Sequence, residues 1–130
     1  MASIFTKIIN GDIPCYKIYE DENYFAFLDI SPLAKGHTLV VPKQEVDYIF
    51  DLSDEIYQGL MQVSKKIALA IQTAVPCKRI GVAVVGLEVP HAHVHLIPLH
   101  SGAINFSDPK LHLTKEELAT IAAAIVGKLH

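Results

Sequence analysis

The stretch "HAHVHLIP", residues 91–98, sets His91, His93 and His95 two residues apart with small or aliphatic residues between them. In an extended segment successive side chains point to opposite faces, so the three imidazoles would line one face. Ala92, Val94 and Leu96 would line the other, where they can pack against a helix. The imidazoles must then look into a cleft or into solvent.

Two chemistries compete with an incidental arrangement. Neutral imidazole is a common metal ligand, and a three-histidine site with an open position suits catalytic zinc. Side chains at i and i+2 of a strand stand about 6.5–7 Å apart, so neighbours can share an ion but the outer pair cannot easily join it. A further ligand would be required, and His37 is the candidate. The second chemistry uses the spacing as it stands. An unprotonated central imidazole attacks phosphorus, and its neighbours hydrogen-bond the phosphoryl oxygens and assist the leaving group. Clustered imidazoles also disfavour one another's protonation, which keeps the attacking ring neutral.

Outward from this stretch, the pattern predicts an α+β fold. Ser3 caps a short helix over "IFTKIIN", closed by Gly11 as a left-handed residue. "CYKIYE" and "YFAFLD" flank Asp21-Glu22-Asn23 as a β-hairpin, and "HTLVVPK" from His37 is a third strand. Ser53, Asp54 and Glu55 open a long helix with an apolar stripe at Ile56, Leu60, Val63, Ile67, Ile71 and Ala74, ended by Pro76. That stripe suits either a dimer surface or a buried face. "RIGVAVV" and "HAHVHLIPL" are two more strands around the turn Gly86–Pro90. Thr114 and Glu117 form a capping box for a C-terminal helix over 114–129. The hairpins favour an antiparallel sheet of five strands.

With 130 residues, 51% of them hydrophobic, the chain reads as one globular domain. A net charge of −3 and no Lys/Arg-rich block give no electrostatic footprint for nucleic acid or membrane. Cys15 and Cys77 are the only cysteines, and the start "MASIFTKIING" has no signal-type apolar run. The expected setting is reducing and cytoplasmic, without disulfides. No apolar stretch approaches the ~20 residues that span a bilayer.

"HAHVHLIP" matches the alternating histidine–hydrophobic signature of the histidine triad (HIT) superfamily of nucleotide hydrolases and transferases. "IFTKIINGDIPCYKIYEDENYFAFLDISPLAKGHTLVVPK" resembles the N-terminal half of the same family, including the Asp before "ISP" and the Gly-His that opens the next strand. The resemblance spans roughly residues 3–100 and is closest to the Hint-like nucleoside phosphoramidases. It implies a homodimer whose two sheets join into one, and a purine nucleotide or nucleotide conjugate as ligand, with no cofactor and no metal. It makes His93 the nucleophile, His95 the contact to the α-phosphate and leaving group, and His91 with His37 a hydrogen-bonded chain orienting His93. Asp29 would accept from the ribose hydroxyls, and Ile4, Phe5, Ile8, Phe27 and Ile30 would form the slot for the base. The plainer alternatives are core packing for Phe5, Ile8 and Phe27, and turn formation for Asp29.

Three departures qualify the resemblance. In "VVGLEVPHAH", Leu87 and Glu88 stand where the family places polar residues that hold the α-phosphate. Glu88 could instead pair with a cationic amine leaving group. Ser3 and Thr6 occupy the positions of a C-x-x-C that builds a structural zinc in some bacterial relatives. The strand ends "IPLH" where an Arg often follows "IP", with His100 as a partial substitute. The expected activity is hydrolysis of purine nucleoside 5′-phosphoramidates through a nucleotidyl-histidine intermediate. The alternatives are a dinucleoside polyphosphate hydrolase and a nucleotide sensor with little turnover.

Overall fold

A computed structural model describes residues 2–130. In chain order it contains α1 (Ile4–Ile9), β1 (Lys17–Glu20), β2 (Tyr24–Leu28), β3 (Thr38–Pro42), a 3-10 turn (Ile49–Asp51), α2 (Asp54–Ala74), β4 (Arg79–Ala83), β5 (Val94–Leu99) and α3 (Lys115–Val126). The strands form one antiparallel sheet in the order β1-β2-β3-β5-β4. The α+β class and the five-stranded sheet are those expected from the sequence.

Local chemistry sets most boundaries. The Ser3 hydroxyl accepts from the Thr6 amide and starts α1; Gly11, at φ 84°, turns the chain away after it. In the β1–β2 hairpin, Asp21 Oδ1 accepts from the amides of Asn23 and Tyr24, each at 2.8 Å. The Asp21 N–H also donates to Tyr24 O at 3.0 Å, so the side chain adds to the backbone pairing of the turn. Thr114 and Glu117 form the expected reciprocal capping box, and Gly127 caps the other end of α3, its amide donating to Ala123 O.

Both faces of the sheet are buried, but by different partners. Ala26, Leu28, Val40, Val94 and Leu96 pack with Leu60, Ile67 and Ile71 of α2 and with Leu118, Ala122 and Ile125 of α3. The stripe on α2 therefore faces this chain's own sheet. The opposite side gathers Phe25, Phe27, Leu39 and Val41 beneath Phe5 of the short α1. One six-residue helix cannot cover a five-stranded sheet, and this side is where a cleft remains.

The sequence-based reading of the histidine stretch needs one correction. β5 begins at Val94, so His91 and His93 precede the strand and only His95 lies in it. β3 pairs with β5 only from Thr38 to Val40. Beyond that point Pro42 has no amide proton to give, and its carbonyl accepts instead from His91 Nε2 at 2.7 Å. The backbone of this segment is held elsewhere: Ala92 N–H donates to Val46 O at 2.7 Å and His91 N–H to Val89 O at 2.8 Å. Among the described residues no helix is long and apolar enough to cross a membrane.

Gly59, inside α2, lies against the ring of Tyr24, whose hydroxyl donates to Ile56 O at 3.0 Å. A methyl group there would overlap the Tyr24 hydroxyl. Gly59→Ala should therefore destabilise the fold by about 1–3 kcal/mol in denaturant titration, although alanine is the better helix former by about 1 kcal/mol.

Candidate active site

Backbone partners fix how each imidazole carries its proton. His91 is fully buried; its Nε2–H donates to Pro42 O, so its Nδ1 accepts from the Ser3 hydroxyl at 2.8 Å. His93 Nδ1 lies 2.7 Å from His91 O. A carbonyl only accepts, so the proton is on Nδ1 and His93 Nε2 is left as a bare lone pair. His37 Nδ1 accepts from the Leu33 amide at 3.1 Å, which places its proton on Nε2. That proton is donated to His95 Nδ1 at 3.0 Å, and His95 in turn carries its own proton on Nε2.

The neutral forms are also enforced electrostatically. Burial holds His37 down at about 4 and His95 at about 3, with Lys110 acting on His37, and His93 and His37 acting on His95. Burial likewise lowers His91. Asp29 is pushed up, chiefly by burial, although Ser31, Lys110 and His93 counter this. Its Oδ1 accepts from the Ser31 amide at 2.8 Å and its Oδ2 stands 3.8 Å from His37 Nε2. Asp29 is thus a turn-former and a cleft residue at once.

The cleft encloses about 430 Å³. Ile4, Phe5, Leu39 and Val89 supply apolar wall, while Asp29, His37, His93, His95, Glu88 and Lys110 supply the polar groups. Phe5 packs edge-on to His93 with 4.9 Å between ring centres. A second hollow of about 400 Å³, lined by Tyr48, Phe50, Tyr57 and Met61, also reaches His93. His93 therefore sits where the two hollows meet.

The sequence model of the HIT domain matches residues 10–102. The chain belongs to the HIT domain family. It is 38% identical over 137 residues to protein hit of Bacillus subtilis, covering 97% of this chain and 93% of that one. It is 34% identical to the adenosine 5′-monophosphoramidase hnt1 of Schizosaccharomyces pombe, across 99% of both chains. The crystal structure of a Hit-like protein from Bartonella henselae superposes with a TM-score of 0.86 at 33% identity, covering 98% of this chain and 96% of that one.

Within this HIT protein the expected residues fall into two groups. His91, His93, His95, His37, Asp29, Ile4, Phe5 and Glu88 converge on the cleft or its immediate support. Phe27, Ile8 and Ile30 do not line it. Phe27 is buried under Phe5 at 5.5 Å between ring centres, Ile8 packs on the same phenylalanine cluster, and Ile30 is 66% exposed. The expected chain through His37 also differs, because His37 bonds His95 and not His93. His100 faces another depression, with Leu33 and Asn105, and does not substitute for an arginine at the cleft.

Phe106 and Lys110 were not foreseen. They lie on the segment between β5 and α3, which is tied back by the Leu111 amide to Pro32 O at 2.8 Å. Phe106 covers His95 edge-on at 4.8 Å. Nothing in "INFSDPK" signals this; a Pro-containing polar stretch reads as loop, and only the tertiary course of the chain brings it over the site.

Neither potential metal site fits an ion. Asp29, His37 and His95 offer ligand atoms within 4.8 Å of one another. However, the Leu33 N–H occupies His37 Nδ1, so the Nε2 lone pair a metal would need is already protonated. Ser3 and Thr6, at the positions compared in the sequence with a C-x-x-C, carry hydroxyls and not the thiolates zinc selects, and these are engaged with Glu45 and His91.

Because His37 and His95 take up protons less readily folded than unfolded, the unfolded chain binds more protons between about pH 3 and 6.5. Stability conferred by these two rings is complete above about pH 6.5 and is lost as pH falls toward their folded values. Thermal melts should show the melting temperature falling from pH 7 to pH 4, with a shallower fall in His95→Asn.

Proposed function

We propose that this HIT protein is a nucleotide hydrolase or nucleotidyl transferase acting at the α-phosphate of purine nucleoside 5′-phosphoramidates or related conjugates. The observation that carries the reading is the His93 ring: Nδ1–H is committed to His91 O, and Nε2 is bare at the junction of the two hollows. In the first step Nε2 forms a bond to the α-phosphorus as the phosphorus–nitrogen bond breaks, and the leaving nitrogen departs as an amine with a proton taken from solvent. The positive charge that develops on the ring is met at Nδ1–H by the His91 carbonyl. His95 Nε2–H, held outward by its bond to His37, hydrogen-bonds the phosphoryl or leaving-group atom. Water then attacks phosphorus, the His93–phosphorus bond breaks, and the nucleoside monophosphate leaves with the ring neutral again.

The base would lie against Ile4, Phe5 and Leu39, and Asp29 Oδ2 would accept from the ribose. The phosphoramidase named among the relatives supports an amine leaving group, as does Glu88 on the same cleft. Lys110 is the one observation favouring a polyphosphate substrate instead, since an ammonium there would attract additional phosphates.

The homodimer is part of the same proposal. β4 is an open edge of the sheet, and beside it Val82, Val85, Tyr48 and Phe50 are all more than half exposed. Such an edge, bordered by apolar side chains, is suited to pairing with its own copy. Val82→Lys should convert a dimer to a monomer in sedimentation equilibrium; an unchanged mass would remove β4 from the interface.

His93→Ala should lose at least about three orders of magnitude of turnover on adenosine 5′-phosphoramidate while still binding AMP. Near wild-type turnover in that variant would end the assignment. Comparing rates on the phosphoramidate and on a diadenosine polyphosphate separates the two substrate classes.

A further inference from the structure

Behind the histidines lies a polar cluster that the reaction does not use directly. Glu45, on the exposed loop after β3, accepts through Oε1 from the Ser3 amide and from the Thr6 hydroxyl, both at 2.6 Å. These bonds hold its carboxyl down at about 2. The Ser3 hydroxyl oxygen accepts from the Thr6 amide, and its own proton is left for His91 Nδ1 at 2.8 Å. Thr6 Oγ1 stands 3.5 Å from the same nitrogen, but its proton is committed to Glu45. His91 Nε2–H closes the set on Pro42 O, three residues before Glu45.

We propose that Glu45 is a positioning residue that locks α1 onto the histidine segment and fixes the direction of every hydrogen bond between them. A carboxylate can only accept, so both Ser3 N–H and Thr6 O–H must point at it. The Ser3 hydroxyl proton then has His91 Nδ1 as its nearer acceptor, at 2.8 Å against 3.4 Å to Thr6 Oγ1. His91 is then confined to the Nε2–H form that holds Pro42, and its carbonyl stays aimed at His93 Nδ1. The same lock places Ile4 and Phe5 along the cleft, since α1 begins at the residues Glu45 grips.

The role is one of acceptor geometry and not of charge. Glu45→Ala removes the acceptor, whereas Glu45→Gln retains a carbonyl oxygen able to take both bonds. Glu45 is exposed, so both variants should fold, and thermal melts check that they do. The inference rests on the hydrolase reading for its kinetics but not for its second readout, the ring-nitrogen NMR of His91 without nucleotide. In Glu45→Ala, KM for adenosine 5′-phosphoramidate should rise about tenfold with a smaller change in kcat, and His91 should show a mixture of tautomers. Glu45→Gln should stay within about twofold of wild type with His91 in the single Nε2–H form. Thr6→Val, which removes one link, should fall between them. A single unchanged His91 tautomer in Glu45→Ala overturns the proposal, as does equal damage in Glu45→Gln. Absence of turnover in the wild type would count against the hydrolase reading alone, because the NMR readout requires no substrate.

Discussion

The hydrogen bond from His91 Nε2 to the carbonyl of Pro42 is the contact on which the rest of the site depends. It forms where the β3–β5 ladder stops, because a proline at that place leaves a carbonyl without a sheet partner. A buried ring takes that carbonyl, and a buried carbonyl in turn fixes that ring's proton. The main chain of His91 then presents its own carbonyl to His93, so that ring is oriented by backbone geometry and not by another titrating side chain. An oriented backbone carbonyl keeps its role across the whole working pH range, which a carboxylate partner would not do near its pKa.

Burial, with crowding at His95, keeps His37, His91 and His95 neutral. His93 and His95 have ring centres 4.9 Å apart, and two positive charges at that separation repel by about 3 kcal/mol at an effective dielectric of 20. Phe5 packs edge-on to His93 and Phe106 edge-on to His95. A neutral His95 is still a donor through Nε2–H, while His93, with Nδ1–H on the His91 carbonyl, turns Nε2 as an acceptor to the cleft. Two identical side chains thus take opposite tautomers, Nδ1–H in one and Nε2–H in the other.

Much of this was legible in the residues. The caps at Ser3, Ser53 and Thr114, the Asp21 turn and the stripe on α2 follow from short-range chemistry, and each lies where that chemistry places it. Period-two alternation put the three histidines on one strand face, but only His95 is in the strand. Alternation does not report that Pro42 interrupts the pairing or that Val46 captures the Ala92 amide. The aromatic and aliphatic residues near the cleft separated by depth: Phe5 reaches it, Phe27 lies beneath Phe5, and Ile30 turns to solvent. Phe106, Lys110 and Glu45 carried no motif. Their roles arise from contacts across long sequence separations, which local patterns do not encode.

The most direct test is the tautomeric state of the four site histidines in the wild-type protein, read near pH 7 from two-bond proton–nitrogen correlations of the imidazole rings. The arrangement described here predicts His93 protonated at Nδ1 with Nε2 bare, and His37, His91 and His95 protonated at Nε2. A His93 that carries its proton on Nε2, or that is an imidazolium at that pH, would contradict it.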